Sequence, residues 1–122
     1  GYASRLNNYR SAVNAVACNN RYSVTGHSLG GGMAEAYAFT VRSRQPNLEA
    51  YNPARVGNAS FRTQLVSALG TSRVEVFCHN LDPVWAVPVG LQHVGSNNGC
   101  TYWGSSVSVI NPVANHAMNL WL

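Results

Sequence analysis

The sequence predicts an α/β domain built on a mostly parallel sheet with crossover helices. Three observations carry that prediction. Strand-like and helix-like runs alternate three times along the chain, the pattern of strands joined by crossover helices. The pentapeptide Gly26-His27-Ser28-Leu29-Gly30 falls where one such strand meets one such helix. The 122 residues, 46% hydrophobic and only 10% charged, suffice for one compact domain with a single core.

The elements follow in order. Leu6, Tyr9, Val13 and Val16 recur at helical spacing, so residues 4 to about 18 form an amphipathic helix, closed by Asn19-Asn20. Residues 21–25 make a short strand, carrying Tyr22 and Val24 into the turn at Gly26. From Leu29 to about Arg44 small and apolar residues dominate, which predicts a helix stopped by Pro46. Residues 48–51 are a second strand, ending in a turn around Asn52-Pro53. Phe61, Leu65, Val66 and Leu69 mark another helix, ended by Gly70 and capped by Asn58 or Ser60. Asn58-Ala59-Ser60 also matches a glycosylation sequon, a pattern short enough to arise often by chance. Val74, Val76 and Cys78 alternate as a third strand. Beyond Asp82-Pro83 the chain is turn-rich, with short β candidates at residues 91–94 and 106–110.

Charge excludes one class of partner. The net charge of +4 arises because acids are scarce; all eight cations are arginines spread from Arg5 to Arg73. Nucleic-acid binding calls for a denser basic stripe. No run approaches the roughly 18 apolar residues of a membrane span, and no signal peptide opens the chain. Cys18, Cys78 and Cys100 match neither a zinc spacing nor a C-x-x-C motif, and their odd number leaves at least one without a partner in this chain.

The pentapeptide carries the chemistry. In G-x-S-x-G the serine sits on a strained strand-to-helix turn that holds its hydroxyl above the sheet edge. The flanking glycines, Gly26 and Gly30, are expected where strand and helix backbones pass too closely for a Cβ, so Gly30→Val should fail. Ser28 is the candidate nucleophile. It falls at a helix N-terminus, where free N–H groups favour negative charge, and the Leu29 N–H is a candidate oxyanion-hole donor.

A serine needs a base to take its proton, and the base needs an anion to fix its tautomer. Where the nucleophile sits on such an elbow, acid and base follow it in that order. Asp82, the only aspartate, lies just past the third predicted strand, at the sheet edge where ligand-facing residues gather. Glu35, Glu49 and Glu75 lie inside predicted elements. Among the histidines, His27 adjoins Ser28 along the backbone, where reaching its hydroxyl is awkward, and is expected to pack structurally; His79 precedes Asp82. His93 and His116 both remain, the second favoured by its late, loop-like setting.

Several segments resemble the class 3 (fungal-type) lipases. Thr25-Gly26-His27-Ser28-Leu29-Gly30-Gly31 is similar to that family's elbow, and residues 51–58, Tyr-Asn-Pro-Ala-Arg-Val-Gly-Asn, to its F-G-x-P-R-V-G-N segment, with Asn52 where glycine is common. His79-Asn80-Leu81-Asp82-Pro83-Val84 resembles its acid loop. Leu91-Gln92-His93 with Tyr102-Trp103 resembles a stretch whose histidine is not catalytic, and Asn115-His116 the element that carries the base. The resemblance implies a partial α/β-hydrolase fold with a strand–elbow–helix unit. It also implies that residues 1–122 are the C-terminal catalytic part of one domain, whose N-terminal strands would lie upstream.

That resemblance implies a secreted serine ester hydrolase without cofactor or metal, using Ser28, Asp82 and His116 as its triad. Its substrate would be an acylglycerol or related carboxylic ester, met at a lipid–water interface. Phospholipases and feruloyl-type esterases of the same family are the alternatives within the enzyme class, and an inactive remnant is the alternative outside it.

Overall fold

The computed structural model describes residues 2–16, 22–79, 82–94, 101–103 and 116. A four-stranded sheet, β1 (Ser23–His27), β2 (Asn47–Tyr51), β3 (Val74–His79) and β4 (Thr101–Trp103), runs in that spatial order with every pairing parallel. Helix α2 (Leu29–Thr40) joins β1 to β2, and α3 (Ala59–Leu69) lies between β2 and β3. Helix α1 (Tyr2–Val16) precedes the sheet. The parallel α/β architecture predicted from the alternating pattern is the one observed.

Register explains the core. Leu48 pairs with Val74 and Ala50 with Val76, so period-two alternation puts these side chains on one face. Together with Cys78 they bury against Ala34 and Ala38 of α2 and Leu65 and Leu69 of α3. Leu48 and Leu65 have no exposed surface, and burial of such a side chain contributes roughly 1.5–3 kcal/mol. Tyr51 and Phe77, paired in register on the opposite face, stack with ring centroids 5.2 Å apart. Stacking of Phe39 on Phe61, at 4.7 Å, ties α2 to α3.

The capping expectation resolves in favour of Asn58, whose side chain accepts the Phe61 N–H at 3.0 Å. Ser60 instead accepts a bond from the Gln64 side chain at 3.1 Å. The helix expected to reach Arg44 ends at Thr40 and continues as a short 3₁₀ turn, Arg42–Arg44. Pro46 explains the early stop, because a residue before proline is disfavoured in the right-handed helical region, and Gln45 takes φ 51°. Strand β1 runs on to His27, past the expected end at residue 25, because its parallel ladder with β2 extends to Tyr51.

Other expectations change more. The apolar stripe of α1 buries only in part: Leu6 packs with Tyr37 and Val41, while Tyr9 is 62% and Val13 39% exposed. Residues 91–94 form no strand; Gln92 makes a single antiparallel bridge to Gly57. Strand β4 was not expected, since three residues are too few to show alternation. The β candidate at residues 106–110 lies outside the described residues, as do Cys18 and Cys100. Cys78 is disulfide-bonded. Among the described residues no helix is long and apolar enough to cross a membrane.

Candidate active site

Because the strands are parallel, whatever follows their C-terminal ends gathers at one edge of the sheet. Ser28 follows β1, Asn52 follows β2, and Asp82 lies three residues past β3. The register His27 to Tyr51 and Tyr51 to Phe77 aligns these ends.

The turn at Ser28 is strained, with φ 57° and ψ −124°. A non-glycine residue held at positive φ costs on the order of 1–3 kcal/mol and persists where surrounding structure fixes it. Here the Ser28 N–H donates to the Tyr51 carbonyl at 3.0 Å, and the Ser28 carbonyl accepts from Gly32 N–H at 3.1 Å. A serine opening a helix ordinarily caps it. Ser28 makes no such bond, so its hydroxyl is free to face elsewhere.

The two motif glycines differ in a way spacing alone did not reveal. A Cβ on Gly26 would overlap the carbonyl group of Gly30, so strand and helix pass closest there. A Cβ on Gly30 would meet nothing within 4 Å, which overturns the expectation that a side chain there must crowd the elbow. Within the elbow the other crowded position is Gly31, where a Cβ would lie 2.9 Å from that of Pro53.

Ser28, Asp82 and His116 come together. His116 Nδ1 lies 2.5 Å from Asp82 Oδ2, and His116 Nε2 lies 2.6 Å from Ser28 Oγ. With its Nδ1–H given to the carboxylate, the ring leaves Nε2 as acceptor for the serine hydroxyl. The Asp82 side chain is fully buried, whereas that of His116 keeps 22% exposure. Asp82 Oδ1 accepts the Val84 N–H at 2.8 Å, so one carboxylate both closes the Asp-Pro turn and holds the imidazole. The arrangement can move a proton from a serine hydroxyl to an imidazole and stabilise the resulting imidazolium.

The other histidines go elsewhere. His93 is buried and its Nε2–H donates to the Trp85 carbonyl at 2.5 Å. Burial, reinforced by the Arg55 charge, lowers its pKa to about 4, so it stays neutral at physiological pH. His79 is buried at the end of β3, where its backbone N–H donates to Asn52 Oδ1 at 2.6 Å. Leu29, the candidate oxyanion donor, opens α2, so its N–H has no acceptor within the helix. Glu35, Glu49 and Glu75 lie within α2, β2 and β3, as expected.

Sequence reasoning missed two residues here. Asn52 holds φ 42° and is fully buried, so its side chain can join the ends of β2 and β3. Its signal was asparagine before proline, because asparagine tolerates the left-handed region. His27, expected to pack, also places its Nε2 2.7 Å from the His116 carbonyl oxygen.

Comparison with known proteins agrees with this fold. A family model described as lipase (class 3) matches residues 4–91. Among curated proteins, none matches the chain. Among solved structures, the chain is similar to lipase II from Rhizopus niveus, with 27% identity and a TM-score of 0.57 over 77% of this chain and 40% of that one. It is similar in fold to the mono- and diacylglycerol lipase from Aspergillus oryzae, with 23% identity and a TM-score of 0.65 over 77% of this chain and 38% of that one. The Lip2 lipase from Yarrowia lipolytica matches with 22% identity and a TM-score of 0.57 over 83% of this chain and 38% of that one. The chain therefore spans two-fifths or less of the length of these structures.

Proposed function

The chain belongs to the class 3 lipase family, and from that premise we propose that it carries the catalytic residues of a serine ester hydrolase acting on acylglycerols. One observation carries the proposal: a single imidazole, His116, lies within hydrogen-bond distance of both Ser28 Oγ and the buried Asp82 carboxylate.

In the proposed reaction Ser28 Oγ attacks the ester carbonyl carbon as its proton passes to His116 Nε2. Asp82 holds the imidazole by Nδ1–H and offsets the positive charge that forms. The carbonyl oxygen becomes an oxyanion facing the Leu29 N–H at the start of α2, where the helix dipole favours negative charge. Collapse of the tetrahedral species breaks the bond to the alcohol, which leaves with the proton from His116. Water then repeats the sequence on the acyl-serine, releasing the fatty acid and restoring Ser28.

Leu29 is 48% exposed beside the nucleophile and offers apolar surface to an acyl chain arriving from a lipid–water interface. The disulfide at Cys78 supports an oxidising, extracellular setting.

A fluorophosphonate probe tests the proposal, since only an activated serine reacts quickly with it. Labelling should fall on Ser28, and Ser28→Ala should lose both labelling and hydrolysis of p-nitrophenyl esters while keeping its circular dichroism. Turnover of Ser28→Ala within tenfold of the parent would place the nucleophile elsewhere. Activity rising with acyl length favours a lipase over a short-chain esterase.

A further inference from the structure

His116 must satisfy two directional bonds at once, one at each ring nitrogen, and small displacements of its backbone would spoil both. Its ring is held by Ser28 and Asp82. Its main chain is held by a third residue that takes no part in the proton transfer. His27 Nε2 lies 2.7 Å from the His116 carbonyl oxygen, and a carbonyl can only accept, so the His27 ring donates its Nε2–H. The two imidazoles also pack, with centroids 4.7 Å apart and planes inclined by 34°.

We infer that His27 is a positioning residue, fixing the main chain of the base to the strand that delivers the nucleophile. The inference rests on the esterase reading above and deepens it. Its structural basis lies in the elbow. In a regular strand, neighbouring side chains point to opposite faces. The positive φ at Ser28 breaks that alternation just past the end of β1. His27 and Ser28, adjacent in the chain, therefore reach the same distant residue, one by its carbonyl and the other by its ring nitrogen. Residues 27 and 116 are 89 positions apart. A direct bond between them couples the base to β1 independently of the chain that separates them. His27 thus touches no reacting atom and acts through His116.

Two substitutions in the full chain separate positioning from packing. His27→Phe keeps an aromatic ring beside His116 and removes the donor. His27→Gln removes the ring and keeps an N–H donor on a side chain of similar reach. A positioning role predicts that His27→Phe lowers kcat on a soluble p-nitrophenyl ester by on the order of ten- to a hundredfold, with KM little changed, because a displacement of about 1 Å is worth that much. His27→Gln should recover most of the lost kcat. A packing role predicts the reverse order. An unimpaired His27→Phe, or a His27→Gln no faster than it, overturns the inference. Should His27→Phe melt before the assay temperature, His27→Gln decides against the parent: near-parental kcat supports the donor role and a tenfold loss overturns it. A parent that labels with fluorophosphonate and turns over, beside an unimpaired His27→Phe, overturns the His27 role alone. A parent that neither labels nor hydrolyses overturns the esterase reading and this inference with it.

Discussion

The carbonyl group of Gly30 occupies the space that a Cβ on Gly26 would need. The two glycines of the elbow therefore have unequal duties. Gly26 is glycine because the returning helix backbone presses on its α-carbon, whereas Gly30 is what does the pressing and itself faces open space. Gly26→Ala should destabilise the fold by about 1–3 kcal/mol or more, the usual cost of forcing atoms into a packed site. Gly30→Ala should be neutral or stabilising by up to about 1 kcal/mol, as for alanine over glycine in a helix. Thermal melts of the pair test this, and equal losses at both positions would contradict the close approach at Gly26.

Asn52 should prove a second support of the site. Its side chain accepts the His79 N–H inside the protein, and the His79 carbonyl in turn accepts the Asp82 N–H at 3.1 Å. Asn52→Ala strands a buried donor, at about 1–3 kcal/mol, and forces alanine to a positive φ. Asn52→Gly loses the acceptor but tolerates the backbone. Urea unfolding should rank parent, glycine, then alanine, with ester hydrolysis falling in the same order. A parental midpoint for Asn52→Ala would remove the bond from the account.

Glu35 should make stability depend on pH. It is fully buried on α2, and neither carboxyl oxygen has a hydrogen-bond partner among the described residues. Burial raises its pKa well above the usual carboxylate range, whose reference value is 4.5. The folded state thus keeps a proton that the unfolded chain releases. Below the unfolded pKa both states hold the proton and there is no ionisation penalty; as pH climbs above it, stability falls by up to about 1.4 kcal/mol per unit until the folded pKa is passed. Glu35→Gln should match the parent near pH 4 and exceed it at pH 7. Denaturation midpoints across that range would show it, and parallel parent and variant curves would mean that Glu35 is solvated.

For the proposed triad, Asp82→Asn should lower turnover on the order of 10⁴-fold by analogy with other triads, because an amide cannot hold the imidazole in the required tautomer. His116→Ala should be as damaging as Ser28→Ala, since residues acting as a unit do not lose activity additively. His93→Ala should keep most of its turnover, its ring being committed to Trp85. An active His116→Ala beside a dead His93→Ala would reverse the assignment of the base.

The alternation of patterned runs determined the parallel sheet and its helices, because side-chain period follows backbone geometry directly. The elbow motif located the candidate nucleophile, because its strained turn leaves few residue types able to occupy it. Asp82 is the only aspartate, and the three glutamates fall inside predicted elements, so the acid was legible from position. Choices between equivalent residues were not legible from spacing. His93 and His116 are both late histidines, and only folding commits one to the Trp85 carbonyl and brings the other between Ser28 and Asp82. The same holds for which motif glycine is crowded, for Asn52 reaching His79, and for His27 reaching the His116 carbonyl. Local sequence decides which segments form strands and which form helices. Contacts between residues far apart in the chain depend on where the sheet edge brings their ends, and only the packed tertiary structure decides that.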